Sequence, residues 1–378
     1  MMSDSNSGAK ICLVAPFPPP YGGMSIQAEK LLSRLRQQGE VVSLIPTNPK
    51  LPKGLGWAQS IPGLRTFIRL IRYIGLLLKS LQKCDVVHHM AASGVSFYLG
   101  TVPVSLIAAL YGKRFLMNYR GGKAADFLSH HAVLAVPILR LADELIVPSE
   151  FLRDVFLRYG FDAEIIPNIA DTDLFRFRAR ERFSPRLIFT RHLEPMYNPE
   201  CVIRAFARIQ KELPDAALGF VGKGSQEHRL KKMVGDLALR NVIFHGFVQP
   251  GELSAIYDQY DVFVNSSLVD NFPGSLVEAA CCGLPIVTSR AGGIPAMIRD
   301  RETGMLAELN SDEQIAECVT ELIRNHELAS SLASSARLWA EQYSWSNIYP
   351  KLLNVYSGRN ESDANLPTER KELTGVSR

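Results

Sequence analysis

The chain contains few cysteines, almost no excess of charge and no long apolar run. Its six cysteines are scattered over 378 residues, with no CxxC pair and no histidine at ligand spacing, so the sequence indicates no zinc site. The formal net charge of +4 is too small to indicate a nucleic-acid-binding protein. We therefore expect reduced, mostly buried thiols in a cytosolic protein that has no nucleic-acid partner.

No segment predicts export or a membrane span. The first ten residues are polar and lack the positive start and apolar run of a signal peptide. No window reaches the roughly 20 uninterrupted apolar residues that a spanning helix needs. The sequence therefore predicts a cytoplasmic protein, and any contact with a membrane is expected to be peripheral.

Residues 61–83 are the segment that predicts such a contact. They include no acidic residue, and on a helix their basic residues form one stripe beside many apolar ones. The basic residues are Arg65, Arg69, Arg72, Lys79 and Lys83. We expect the apolar residues to pack on a sheet, as in an ordinary crossover helix. Two interpretations of the basic stripe stay open: a peripheral contact with the inner leaflet of the membrane, or a solvated helix face.

Strand-like and helix-like segments alternate along the chain, which predicts parallel sheets with crossover helices. The alternation breaks at residues 167–186, where a turn and a basic stretch indicate a linker, and then resumes. We therefore predict an α/β protein in which two Rossmann-like domains face each other across a cleft. The predicted parts are an N-terminal domain (1–168), a C-terminal domain (169–340), a helix that crosses back (341–356) and a disordered tail (357–378).

Ligands of open parallel sheets bind beyond the carboxyl ends of the strands, so the loops there are the candidate sites. Gly22 and Gly23 follow the first strand and precede a helix, where backbone N–H groups can approach an anion. A glycine pair is also common in ordinary turns. The absence of a GxGxxG sequence argues against a dinucleotide site.

Residues 269–287 are more specific. Asp270 and Asn271 lie in a loop between a strand and a helix. The residues that open this helix are Pro273, Gly274, Ser275 and Leu276. A helix start with free N–H donors suits a diphosphate, while Glu278 can accept hydrogen bonds from a ribose and Asp270 from a sugar. Taken singly, Asp270 could be a turn residue and Glu278 a surface residue.

This segment resembles the E-x7-E motif of family 4 (group 1) glycosyltransferases, with Asp270 at the first position and Glu278 at the second. Further motifs follow the family order along nearly the whole chain: PPPYGG, DVVHHM, ADELIVPSEFLRD, IIPNIADTDLF, TRHLEP, FVGKGS, FHGFV and CGLPIVTSRAGGIP. The resemblance implies a GT-B fold, a nucleotide-diphospho-sugar donor on the C-terminal domain and an acceptor on the N-terminal domain. It also implies retention of anomeric configuration and no need for a metal or other cofactor.

The resemblance also assigns roles to single residues. Arg191 matches the arginine that contacts the donor diphosphate, where it would offset leaving-group charge; alone, it could equally be a surface salt-bridge partner. Gly222 and Gly224 match the turn that lets the nucleotide approach the backbone. Phe247 and Val248 are candidates for lining the base pocket, although an aromatic residue after a strand is more often part of a core.

Several positions depart from the family pattern. Tyr197 replaces a common lysine, so one positive charge near the diphosphate is missing. Arg120 replaces a histidine often found near the reacting sugar; it can bind a phosphate or the acceptor but cannot act as a general base. Asp270 is one methylene shorter than glutamate, and Ala296 stands where a glutamate is usual.

We therefore predict a metal-independent, retaining hexosyltransferase with catalytic residues Arg120, Arg191 and Asp270 and with Tyr197 in the donor site. Its acceptor would be a polysaccharide or a lipid-linked intermediate in exopolysaccharide or cell-surface glycan synthesis. Two alternatives stay open: a catalytically silent nucleotide-sugar-binding scaffold subunit, and a sugar epimerase of the same architecture. The departures at Tyr197 and Arg120 motivate the first, and the E-x7-E-like segment disfavours the second.

Overall fold

The computed structural model describes residues 9–19, 22–52 and 54–358. The tail predicted to be disordered therefore lies, from residue 359 onward, outside the described residues. All six cysteines are free, and five of them are buried, as the sequence predicts.

Six parallel strands form the N-terminal sheet, in the spatial order β2-β1-β3-β4-β5-β6. In chain order the strands are β1 (Ile11–Ala15), β2 (Val42–Pro46), β3 (Val86–Ala91), β4 (Arg114–Tyr119), β5 (Glu144–Val147) and β6 (Glu164–Ile165). The helices between them are α1 (Gly23–Gln37), α2 (Pro62–Ser80), α3 (Val102–Leu110), α4 (Ala124–Leu139) and α5 (Glu150–Leu157). Strands β1 and β3 are buried along their whole length, because helices cover both faces of the sheet.

A second sheet of six parallel strands follows, in the order β12-β11-β10-β7-β8-β9. Its strands are β7 (Arg186–Thr190), β8 (Ala217–Val221), β9 (Val242–Gly246), β10 (Val262–Asn265), β11 (Ile286–Ser289) and β12 (Met305–Ala307). Its helices are α6 (Pro199–Glu212), α7 (Glu227–Asp236), α8 (Pro250–Tyr257), α9 (Gly274–Cys281), α10 (Ile294–Met297), α11 (Asp312–Arg324) and α12 (His326–Glu341). The predicted pair of Rossmann-like parallel sheets is confirmed.

The last of the described helices, α13 (Trp345–Ser357), packs against the first sheet. Its residues Ile348 and Leu352 share a buried core with Ile11 and Leu13 of β1. The guanidinium of Arg114, at the start of β4, donates to the carbonyl oxygen of Val355 at 2.9 Å. The chain therefore returns to its N-terminal half after it has built the second sheet.

The segment predicted to be a linker is held at both ends. Gln27 on α1 exchanges two hydrogen bonds with the backbone of Ile169, at 3.1 and 3.0 Å. Further along, the buried carboxylate of Asp261 pairs with Arg178 and Arg180, at 3.2 and 3.1 Å. The basic stretch is therefore anchored on the C-terminal domain.

Helix α2 contradicts part of the prediction for residues 61–83. Tyr73 and Leu77 are buried, as in a crossover helix, but Phe67 and Ile71 are 60% and 56% exposed. The physical reason is that β2, against which α2 packs, is the edge strand of its sheet, so one face of the helix has nothing to pack on. Within the described residues, no helix has both the length and the apolar character that a bilayer span requires.

Candidate functional site

Arg191 and Asp270 lie together at one edge of the C-terminal sheet. Arg191 directly follows β7, Asp270 lies in the loop after β10, and these two strands are neighbours. Their side chains, only 16% and 10% exposed, form an ion pair. Burial raises the pKa of Asp270, and the positive charge of Arg191 opposes that shift. In the state described, the Asp270 carboxylate therefore neutralises Arg191, and Arg191 is not a surface residue.

Tyr197 orients this arginine. The Cζ atom of Arg191 lies 4.3 Å from the centroid of the Tyr197 ring, within the range of a cation–π contact. The Nε atom of Arg191 is buried and has no hydrogen-bond partner among the described residues. Tyr197 thus adds no charge at the position where the resemblance leads one to expect a lysine. Its ring packs against the Arg191 guanidinium, whose Nε–H donor has no partner among the described residues.

Two glycines from neighbouring loops allow a close approach to the backbones of Arg191 and Asp270. A Cβ atom on Gly222, whose φ is 131°, would lie 2.3 Å from the carbonyl oxygen of Arg191. A Cβ atom on Gly292, whose φ is 51°, would lie 2.3 Å from the carbonyl oxygen of Asp270. The close approach that Gly222 permits is thus to the Arg191 loop, and its contact with a nucleotide stays a prediction. The role of Gly292 was missed, although the glycine pair at 292–293 was its sequence signal.

The start of α9 contains polar atoms that are buried without partners. Both amide atoms of Asn271 and the hydroxyl of Ser275 have no hydrogen-bond partner among the described residues. Such groups are uncommon in folded proteins, so their clustering indicates a ligand position. One prediction is wrong here: the N–H of Leu276 donates to the carbonyl oxygen of Pro273 at 3.1 Å, because the helix opens with a tight turn. Gly274 and Ser275 are left as the N–H donors.

Glu278 lies one turn further along α9 and points inward. The hydroxyl of Tyr257, on α8, donates to its carboxylate at 3.2 Å and lies 2.7 Å from the hydroxyl oxygen of Thr190. Burial raises the pKa of Glu278, whereas the charge of Lys30 and the Tyr257 hydrogen bond lower it. Glu278 is therefore not the surface residue of the alternative interpretation. Sequence reasoning missed Tyr257 altogether.

Phe247 and Val248 follow β9, the outer strand of the C-terminal sheet. Phe247 is exposed, and Val248 packs partly on the domain core. This placement does not decide whether they contact a base, which stays a prediction.

A cavity of about 920 Å³ opens on the N-terminal domain, beside Gly22 and Gly23. The N–H of Gly22 donates to the hydroxyl of Ser25 at 2.9 Å, so this N–H is not available to an anion, contrary to the prediction. Among the described residues that line the cavity, Lys50 and Arg69 are charged and none is acidic. The cavity therefore suits a ligand with a negative charge.

Arg120 directly follows β4 of the N-terminal sheet. Its Nε atom donates to Asn118 at 3.0 Å, and its Nη1 atom is buried without a partner. Burial lowers the pKa of Arg120 to about 10. Two residues on, a Cβ atom on Gly122 would lie 3.7 Å from the amide nitrogen of Asn271, so the loop after β4 lies against the loop after β10.

Within the described part of the chain, no group of three or more histidine, cysteine, aspartate and glutamate side chains is arranged to hold a metal ion.

Comparison with known proteins identifies the family of the chain. The family model described as Glycosyltransferase Family 4 matches residues 21–174, and the one described as Glycosyl transferases group 1 matches residues 172–339. A GDP-mannose-dependent alpha-(1-6)-phosphatidylinositol monomannoside mannosyltransferase of Mycolicibacterium smegmatis is 29% identical over 58% of this chain and 64% of its own length. A D-inositol 3-phosphate glycosyltransferase of Corynebacterium aurimucosum is 28% identical over 57% of each chain. The chain thus spans less than two thirds of the length of these relatives.

Solved structures show the same fold. Anabaena HepE in complex with UDP superposes with a TM-score of 0.73 at 18% identity, covering 92% of this chain and 100% of that one. Sucrose-phosphate synthase from Thermosynechococcus elongatus superposes with a TM-score of 0.75 at 18% identity, covering 93% and 99%. Since the two family models divide most of the sequence between them and the two sheets have this architecture, the chain belongs to the group 1, family 4 glycosyltransferases and has the GT-B fold.

Proposed function

We propose that the protein is a retaining, metal-independent glycosyltransferase that moves a sugar from a nucleotide-diphospho-sugar to a glycan or lipid-linked acceptor. One observation carries the proposal: Arg191, the partnerless polar atoms of Asn271 and Ser275, and the start of α9 converge at one edge of the C-terminal sheet. Each of these groups suits a phosphate-bearing ligand, and a cluster of them suits a diphosphate.

The donor would bind with its diphosphate at the start of α9. The helix dipole and the Arg191 guanidinium would stabilise the negative charge that develops as the diphosphate leaves. Glu278, held by Tyr257, would accept hydrogen bonds from the ribose. HepE was solved with UDP, and the M. smegmatis relative is named as GDP-mannose-dependent; both support a nucleotide-sugar donor and leave its base open.

In the transfer step, the bond between the anomeric carbon and the diphosphate oxygen breaks as the acceptor oxygen bonds to the same face of that carbon. The acceptor proton would pass to the departing diphosphate. Because the charges of Asp270 and Arg191 are already paired, we assign Asp270 to holding sugar hydroxyls and orienting Arg191 rather than to removing this proton.

The acceptor would enter from the N-terminal side. The cavity beside Gly23 carries Lys50 and Arg69 and, among the described lining residues, no acidic group, which suits a phosphate-linked acceptor. Exposed Phe67 and Ile71 on α2 lie on the helix that carries the basic stripe. We propose that this helix contacts the cytoplasmic leaflet of a membrane, where a lipid-linked intermediate of a cell-surface glycan would be met.

A binding and turnover panel tests the proposal. Calorimetric titration of UDP-, GDP-, ADP- and dTDP-sugars, each with and without EDTA, should identify one nucleotide that binds equally well in both conditions. Transfer to lipid extracts should then give a product whose anomeric configuration, read by NMR, matches the donor. Binding without sugar release or transfer would favour the silent scaffold, and inversion of the anomeric carbon would contradict the retaining mechanism.

A further inference from the structure

A continuous series of hydrogen bonds between buried side chains connects helix α13 to Arg120. The Tyr356 hydroxyl on α13 lies 2.9 Å from Nδ1 of His88, on β3. The Nε2 atom of His88 lies 3.0 Å from the amide nitrogen of Asn118, on β4. The amide oxygen of Asn118 then accepts from Nε of Arg120 at 3.0 Å. Within this series His88, Asn118 and Tyr356 are all buried.

The chemistry of these groups allows only one direction for the hydrogen bonds. Because the Nε–H of Arg120 can only donate, its partner atom is the oxygen of Asn118. The amide nitrogen of Asn118 must then donate to Nε2 of His88, so the histidine proton is on Nδ1 and is donated to the Tyr356 hydroxyl. Burial, together with the charge of Arg120, lowers the pKa of His88 to about 3, which keeps the ring neutral.

This series of hydrogen bonds, and no ion pair among the described residues, holds Arg120. Its Nη1 atom is buried without a partner, and no described carboxylate forms a salt bridge with it. Gly122 places the same loop against Asn271 of the loop after β10. A partly buried, oriented guanidinium that has no ion-pair partner among the described residues suits an anionic oxygen of a bound substrate.

We propose that Tyr356, His88 and Asn118 are positioning residues, which hold Arg120 so that Nη1 meets a phosphate oxygen of the substrate in the cleft. The proposal rests on the proposed function above. The phosphate could belong to the donor diphosphate or to a phosphorylated acceptor, since both carry the same chemistry. Helix α13, which follows the C-terminal domain in sequence, thus completes the N-terminal half of the site.

Two tyrosines on α13 allow a matched test. Tyr356→Phe removes the acceptor for His88, whereas Tyr349→Phe removes a hydroxyl that donates to Glu40 at 2.7 Å, outside the series of hydrogen bonds that leads to Arg120. We expect Tyr356→Phe to lower kcat about tenfold, since small errors in positioning are costly in catalysis, and Tyr349→Phe to leave kcat nearly unchanged. A raised KM for the donor in Tyr356→Phe would assign the phosphate to the donor, and a raised KM for the acceptor would assign it to the acceptor.

Nitrogen-15 NMR of the histidine rings gives a readout that does not depend on turnover. In the wild type, His88 should be the Nδ1–H tautomer, and the Arg120 Nε–H should exchange slowly with solvent. Tyr356→Phe should mix the tautomers and speed that exchange, while Tyr349→Phe should change neither. An Nε2–H tautomer in the wild type, or full kcat in Tyr356→Phe despite altered tautomers, would overturn the proposal. If the protein transfers no sugar, the NMR result still tests this series of hydrogen bonds separately from the proposed function.

Discussion

The carboxylate of Asp270 is ion-paired with the guanidinium of Arg191, and both side chains are largely shielded from solvent. The residues lie 79 positions apart in the sequence and meet because β7 and β10 are adjacent. In this structure, the Arg191 guanidinium, which we propose binds the donor diphosphate, is therefore ion-paired with a carboxylate of the protein. An arriving diphosphate would have to share Arg191 with Asp270 or displace it.

Variants of this ion pair should separate the effect of Arg191 on stability from its proposed effect on catalysis. Arg191→Ala should lower kcat by about a hundredfold or more, because it removes the charge that we propose to stabilise the leaving group. It should also lower the melting temperature, since Asp270 becomes an unpaired buried charge. Adding Asp270→Asn should restore much of the melting temperature and none of the rate. Steady-state kinetics and calorimetry on both variants measure this, and full transfer by Arg191→Ala would refute its assignment.

Glu278 should affect binding and stability in opposite directions. Glu278→Gln should weaken UDP or GDP binding roughly tenfold, because hydrogen bonds to a charged acceptor are lost. The same substitution should weaken binding of the 2′-deoxy nucleotide less, because that nucleotide lacks one of the ribose hydroxyls. The raised pKa of the Glu278 carboxyl means that folding disfavours its charged form. The free energy of unfolding therefore falls as pH rises through the folded-state pKa of Glu278. Glu278→Gln should therefore raise the melting temperature at pH 8 more than at pH 4. Equal nucleotide affinity in the variant would contradict the ribose contact.

Two buried histidines should make the protein sensitive to acid. Burial lowers the pKa of His88 to about 3 and that of His89 to about 4, from an ordinary value of 6.5. Between pH 6.5 and 4 the unfolded chain binds protons that the folded chain does not, so the free energy of unfolding falls as pH falls. His89→Gln should reduce this slope in urea unfolding series, and His130→Gln, at an exposed site, should not. Identical slopes in all three proteins would count against buried neutral rings.

The exposed face of α2 should bind anionic membranes. Phe67→Ser with Ile71→Ser should weaken sedimentation with phosphatidylglycerol vesicles by about tenfold or more, because membrane affinity scales with the apolar area inserted. Leu338→Ser, at a 71% exposed position on α12, is the matched control and should bind like the wild type. Binding should also weaken with salt, since the basic stripe adds electrostatic attraction. If the double variant still binds fully, another surface makes the contact.

Much of the architecture could be read from local patterns. Runs such as Ile11–Ala15 and Glu144–Val147 are strands, because short apolar runs between turns and helices are stable mainly as buried parallel strands. The segment around Asp270 and Glu278 was also recognisable, since a loop, a helix start and a carboxylate one turn later are all local features. The exposed face of α2 was mispredicted, because apolar periodicity does not tell whether a helix covers an edge strand or a central one.

The sequence by itself determined the two sheets and the loops that carry the candidate site residues. Only the tertiary structure decided which of those residues are partners: Arg191 with Asp270, Tyr257 with Glu278, and Tyr356 with His88. The physical reason is that burial periodicity is encoded within each segment, whereas contacts between segments depend on strand order and on where a returning helix packs. Strand order and the position of the returning helix depend on the packing of the whole chain, which brings residues far apart in sequence into contact.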